Sequence, residues 1–298
     1  MQGIFERKYH LLLFLIIISL SFPEPSNSQN NNAQAAFYNI GIGSVFSGMG
    51  AVINKKPEEK FWKVLLKGMA QGALGGYLVY ESKNLISRIP KHEKLEYAWP
   101  AKLVNSAGIS IIENAASNRD FWEQYNLNIG FNRIEFHTQD KFRIKYRIMP
   151  AAMLLTAFTA FGNKFEVERS LRSGEFIFSA REVYNQRYNQ HMGGYAVGTS
   201  TVIRSDLLDN FRIFAHEFIH IYQYYDFNVF NAHVKIPLDV LKKESGFFRT
   251  MDKIFHYDFQ YPFRTSLNMI QNWDDKTIFE RYENNIFEIE ADYYSDKF

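Results

Sequence analysis

In this chain of 298 residues, the stretch His216-Glu217-Phe218-Ile219-His220 carries the side chains best able to do chemistry together. On a helix, residues four apart lie on one face, one turn above the other. Both imidazoles can then reach one zinc ion at about 2.0–2.1 Å. The Glu217 carboxylate can reach a water on that ion without being a ligand itself. Phe214, Phe218, Ile219 and Ile221 give the helix an apolar back, and Asp209 and Asn210 are candidate caps for its first turn. The chemistry such a set can do is metal-assisted hydrolysis, with Glu217 as general base.

A third ligand is required, and the sequence offers two sources. Asp226 follows His220 at the spacing of a short zincin motif, but that continuation needs a glycine at 223 so the chain can reverse, and Gln223 stands there. The other source is Phe287-Glu288-Ile289-Glu290-Ala291-Asp292. Glu288 and Asp292 share a helical face, so one can complete a two-histidine, one-carboxylate site while the other accepts a hydrogen bond from a ligating imidazole. Ala291 is small enough to let the two helices approach. Glu290 points elsewhere and reads as a solvated charge.

H-E-x-x-H followed far downstream by E-x-x-A-D resembles the gluzincin metallopeptidases, especially the CAAX-type endopeptidases and related exported zinc peptidases. The resemblance implies that Glu288 is the third zinc ligand and that Asp292 supports a zinc histidine. It also implies that the stretch Gly194 to Ile203, read as a short strand, borders the cleft and pairs with extended substrate. It covers residues 194–224 and 284–294. The several long membrane helices of the CAAX-type enzymes have no counterpart in this chain.

Composition narrows the setting. A net charge of +2 gives no electrostatic case for nucleic acid, and the absence of cysteine excludes disulfides, thiolate ligands, a cysteine nucleophile and an acylated lipoprotein anchor. Arg7 and Lys8, the apolar run Leu11 to Leu20 and the small residues Ser26 and Ser28 follow the order of a secretory signal over residues 1–28. As a helix, that run is too short for the roughly 30 Å hydrocarbon core. A polar leader over Gln29 to Gln34 is expected next, and a bacterial periplasm, cell envelope or secreted location.

The elements that must position the site are those of an α+β fold. Residues 29–125 read as a glycine-rich helical region, and 126–298 as a zincin-like metallopeptidase domain. Within the first, Ala35–Asn54 and Phe61–Tyr80 form a hairpin across the charged turn 54–60. The hairpin packs on a soluble domain in one reading and associates with a membrane in the other. Alternation of Phe142, Ile144, Tyr146 and Ile148 with Arg143, Lys145 and Arg147 marks a half-buried strand. Residues 126–180 are expected to form an antiparallel meander of four or five strands, with Met149–Phe161 either strand or helix. Loops and helices follow, closing on a charged helix from Asp274 or Thr277. The expected activity is hydrolysis of a peptide or protein substrate, and the alternative is a non-catalytic envelope binding or assembly module. Tyr224, Tyr225, His191, His233 and His256 are candidates by type for stabilising an oxyanion.

Overall fold

The computed structural model describes residues 32–185, 190–271 and 285–297. The secretory signal and the start of the closing charged helix lie outside the described residues. Helix and sheet are mixed along the chain. Helices α1 (Asn32–Ile53) and α2 (Phe61–Ile86) form the glycine-rich hairpin. Asn32 to Gln34, expected in a polar leader, already belong to α1. By length and composition α1 could cross a membrane, but Gly43, Phe46, Ser47 and Gly48 on its buried face pack on protein. The glycines let backbone meet backbone: a Cβ on Gly43 would lie 2.5 Å from the Gly72 carbonyl oxygen, and one on Gly76 would collide with that of Asn39.

A short helix α3 (Arg88–His92) leads through a 3-10 turn to α4 (Ala98–Ala116). Strands β1 (Gln124–Ile129), β2 (Asn132–His137) and β3 (Arg143–Ile148) form an antiparallel meander in that order. It stops at three strands. Met149–Phe161 resolves as helix α5 (Pro150–Ala160), opened by its proline. After α5 comes only the two-residue strand β4 (Lys164–Phe165), and Val167–Ser173 is helix α6. Strand β5 (Phe176–Ala180) and a small ladder of β6 (Tyr184–Asn185) with β7 (Gln190–His191) follow. The stretch read as one strand before the histidine helix is a hairpin. Its strands β8 (Gly194–Val197) and β9 (Ser200–Arg204) turn at Gly198, φ 61°. Strand β5 pairs parallel with β9, so the second sheet is mixed, in the order β4-β5-β9-β8, and β8 is its edge.

Burial alternates along β1 and β2, whereas the first four residues of β3 are all exposed, and it is the polar side of the ladder that turns inward. Gln124, Asn126, Asn128, Arg133 and Glu135 are buried, whereas Phe142, Ile144 and Tyr146 are exposed. Helix α4 is the cause. It presents Ser110 and Glu113 to the sheet, and Glu113 binds Arg133 at 2.6 Å and Asn126 at 3.0 Å. A charged helix face selects the charged sheet face, because a buried ion must be paired.

The chain continues through α7 (Phe211–Asp226), α8 (Val229–His233), α9 (Lys235–Glu244), α10 (Gly246–Ile254), α11 (Gln260–Gln271) and α12 (Ile286–Ser295). One apolar cluster runs from Phe46 and Val79 of the hairpin to Phe214 and Phe218 of α7 and Ala291 of α12. The hairpin therefore shares its core with the helices that carry the histidines and Glu288. Gly76→Ala is expected to lower stability by about 1–3 kcal/mol through overpacking, while Gly41→Ala, where a Cβ meets nothing within 4 Å, should be neutral or stabilising. Chemical denaturation midpoints of the two variants check this.

Candidate metal centre

Helix α7 is capped by Asn210, whose side-chain oxygen accepts from the amides of Arg212 and Ile213. Its buried residues include Phe214, Ala215, Phe218, Ile219, Ile221 and Tyr222, so packing on several sides fixes its rotation. Asn285 caps α12 by accepting from the Phe287 amide, and fully buried Ala291 lets α12 approach α7. These two helices bring His216, His220 and Glu288 together.

His216 Nε2 and His220 Nε2 are 3.1 Å apart, and each lies 3.3 Å from Glu288 Oε2. Three donors of a tetrahedral zinc site are separated by about 3.3–3.4 Å when each bond is about 2.0–2.1 Å. The spacing fits such an ion. His220 is buried, whereas His216 is partly exposed and the Glu288 carboxylate is about a quarter exposed at 26%.

The outer hydrogen bonds define which lone pairs face inward. His216 Nδ1 lies 3.0 Å from Asp292 Oδ1, so it donates to that carboxylate. The amide nitrogen of Gln223 donates to the Phe287 carbonyl at 2.8 Å and to Glu290 Oε2 at 3.0 Å. The Gln223 oxygen is then left to accept, and His220 Nδ1 donates to it at 2.8 Å. In the neutral tautomers both Nε2 atoms carry lone pairs, aimed at each other and at a carboxylate oxygen. Such a set attracts positive charge. With protons alone, burial works against a charged His216, but hydrogen bonds to Asp292 and Glu288 hold its pKa up to about 10. Burial pushes Glu288 up, and the two histidines pull it well below the usual carboxylate range.

Glu217 sits beside this set, buried, and its Oε2 has no hydrogen-bond partner among the described residues. Burial raises its pKa, with His216 and His220 opposing. Gly194 of edge strand β8 gives the carboxylate room: a Cβ there would lie 3.2 Å from Glu217 Oε1.

Other sequence expectations are redistributed. Asp226 is outside the donor set and pairs with Lys83 of α2 at 2.7 Å. Glu290 is not a solvated charge. It is 2% exposed and binds Lys83 at 2.8 Å as well as Gln223. Gln223 and Lys83 were missed as site residues, because their roles run through space from α2 to α12; the glutamine had registered only as a missing glycine. Among the candidate oxyanion donors, Tyr224 is tied to Asp258 at 3.0 Å, His233 to the Val229 carbonyl at 3.0 Å, and His256 lies 3.8 Å from Glu135. Tyr225 is buried beside Lys102, and His191 lies in the β6–β7 ladder. Arg264 of α11, which nothing in the sequence singled out, is close enough for its charge to act on both Glu217 and Glu288.

Comparison with known proteins finds no counterpart: no family model, no curated protein and no solved structure matches the chain.

Two outcomes follow from this geometry. Gln223→Ala and Asp292→Ala are each expected to weaken zinc binding by about 10–100-fold, Glu288→Ala by more, and Asp226→Asn least, since Asp226 ligates nothing and acts only through its pair with Lys83. Competition against a chromophoric chelator measures all four. Because His216 stays protonated up to about pH 10 without metal, zinc uptake at neutral pH must expel that proton. Affinity should fall about tenfold per unit of decreasing pH near neutrality. Calorimetry in buffers of different ionisation enthalpy reads the released proton.

Proposed function

We propose that this chain is an exported zinc metallopeptidase that hydrolyses peptide bonds, with His216, His220 and Glu288 as ligands. The observation that carries the reading is the convergence of those three donors beside a buried glutamate that has an unpartnered oxygen. A zinc ion held there supplies a Lewis acid and lowers the pKa of its water toward neutrality. Glu217 accepts the proton of the attacking water and delivers it to the leaving amine. Its raised pKa, caused by burial, suits a group that must take a proton and return it. Asp292 and Gln223 hold the Nδ1 sides of the two imidazoles, so that Nε2 is the nitrogen left to bind a metal once each ring is neutral. The edge of β8, unpaired among the described residues, with Gly194 against Glu217, suits an extended peptide lying along the strand. Arg264, whose charge acts on both Glu217 and Glu288, is a candidate for opposing the negative charge that would develop on the substrate carbonyl oxygen. The gluzincin-like order of H-E-x-x-H and E-x-x-A-D supports the same assignment, and the signal over 1–28 supports export.

A binding module with no catalytic task has no use for an unpaired carboxylate at Glu217, since such burial is costly. Glu217→Gln separates the readings. Peptide hydrolysis should fall by about 10²–10⁴-fold, with one zinc per chain retained by elemental analysis. Full biological effect in that variant would establish the non-catalytic role, and absence of zinc from remetallated wild-type protein would remove the metal from the account.

A further inference from the structure

Helix α11 brings a cation to the candidate metal centre that takes no part in holding a metal. Gln260, buried at the start of the helix, accepts from Asn231 at 2.9 Å, and Phe263 stacks on Phe230 with ring centroids 4.3 Å apart. Arg264 lies one turn beyond Gln260 on the same face, so these anchors fix where it stands. Its guanidinium carbon is 5.3 Å from the centre of the Phe287 ring, and Phe287 immediately precedes Glu288.

The guanidinium has no partner there. Its Nε is buried without a hydrogen bond, and the side chain forms no ion pair among the described residues. Glu288 is taken up by His216 and His220. Glu217 also has an unpartnered oxygen, and the charge of Arg264 acts on it, yet the two do not meet. Burial pulls the Arg264 pKa down in spite of the neighbouring acids. Two groups of opposite charge, each incomplete and held out of contact, leave a gap that an occupant with its own negative charge would fill, because an unpaired cation out of water is costly. The residue as a whole is partly exposed, so a solute can reach it.

A guanidinium offers parallel N–H donors that match a carboxylate in a bidentate pair. On a peptide, that carboxylate is the chain terminus or an Asp or Glu side chain. A donor to the reacting oxygen would need to lie within about 2.7–3.1 Å of it. Arg264 touches neither Glu217 nor Glu288, which flank that oxygen, and this places its fork further along the substrate. We propose that Arg264 receives a carboxylate of the substrate, carried on a residue close to the bond that is cut. The proposal takes its substrate class from the peptidase reading.

Four pools of N-acetylated random heptapeptides test this on the full zinc-loaded chain. Two end in a free carboxylate and two in a carboxamide, and one of each kind omits Asp and Glu. Mass spectrometry reads the bonds cut. Suppose that, without Asp and Glu, the free-acid pool is cut roughly 10–100-fold faster than its amide; that result assigns the terminal carboxylate. The same margin for the amidated pool containing Asp and Glu over the one lacking them, with cuts beside those residues, assigns the side chain. Either preference should collapse toward one in Arg264→Gln, with zinc still bound. Retention of the pools by zinc-loaded Glu217→Gln protein makes the comparison without turnover: the favoured pool is held, and adding Arg264→Gln releases it. Equal cutting of all four pools overturns the proposal. So does an Arg264→Gln variant that slows every pool alike with the ratios intact, the mark of a role at the reacting oxygen or in the fold. Arg264-dependent retention with no pool cut keeps the carboxylate site and removes the peptidase reading, whereas neither cutting nor retention removes both.

Discussion

The ammonium of Lys83, with no exposed surface, is the constraint around which the rest of the molecule is arranged. It lies between Asp226 at the end of α7 and Glu290 within α12, and it also donates to Asn39 of α1 at 3.0 Å. One buried cation thereby ties four helices together. Removing a partner from such a cluster typically costs about 3–5 kcal/mol, because the remaining charge stays in low dielectric without compensation. The position of α12 relative to α7 is therefore tightly held. The hairpin that supplies Lys83 can come close enough to reach both carboxylates because its glycines remove the side chains that would hold the helices apart.

From that cluster the order passes inward by hydrogen bonds. Glu290 accepts from Lys83 and from the Gln223 amide, and the orientation of that amide leaves its oxygen for His220. On the other side Asp292 performs the same task for His216 directly. The two imidazoles are thus oriented by different means, one by a carboxylate at the surface and one by a buried chain of polar groups that ends in the hairpin. A low-dielectric interior strengthens each link and makes a broken one expensive. Glu217 is the exception: it is buried in the same region but left without a bond on one oxygen, as a group must be if it is to accept a proton.

The reversed meander obeys the same rule. Glu113 of α4 needs cationic partners, and Arg133, itself held by Glu135, supplies them. Satisfying those charges in the interior leaves the rings of β3 outside. Hydrophobic burial on this sheet has given way to charge pairing, and the exposed face is the result. Pairing of buried ions therefore shapes both the candidate metal site and the outer face of the meander.

Much of the site was legible in the chain, because its information is local. Two histidines four apart need only the helical period to share a face, and E-x-x-A-D places Glu288 and Asp292 by the same rule. The period of two in β3 was equally readable, as were the glycine-rich helices and the turn between them. What local pattern does not contain is the partner of each face. Alternation of Ile144 and Tyr146 with Lys145 and Arg147 specifies a strand with two unlike sides, but only the packing of α4, with Glu113 buried against the sheet, decided which side turned inward. Glu290 and Gln223 were misread for the same reason. Their bonds run to Lys83 and His220 across long stretches of sequence, and a buried charge is recognisable only once its counter-charge is in place. The sequence by itself determined which residues could share a metal site; the tertiary structure decided how His216, His220 and Glu288 converge and which lone pairs face one another, because that depends on hydrogen bonds between helices that no spacing records.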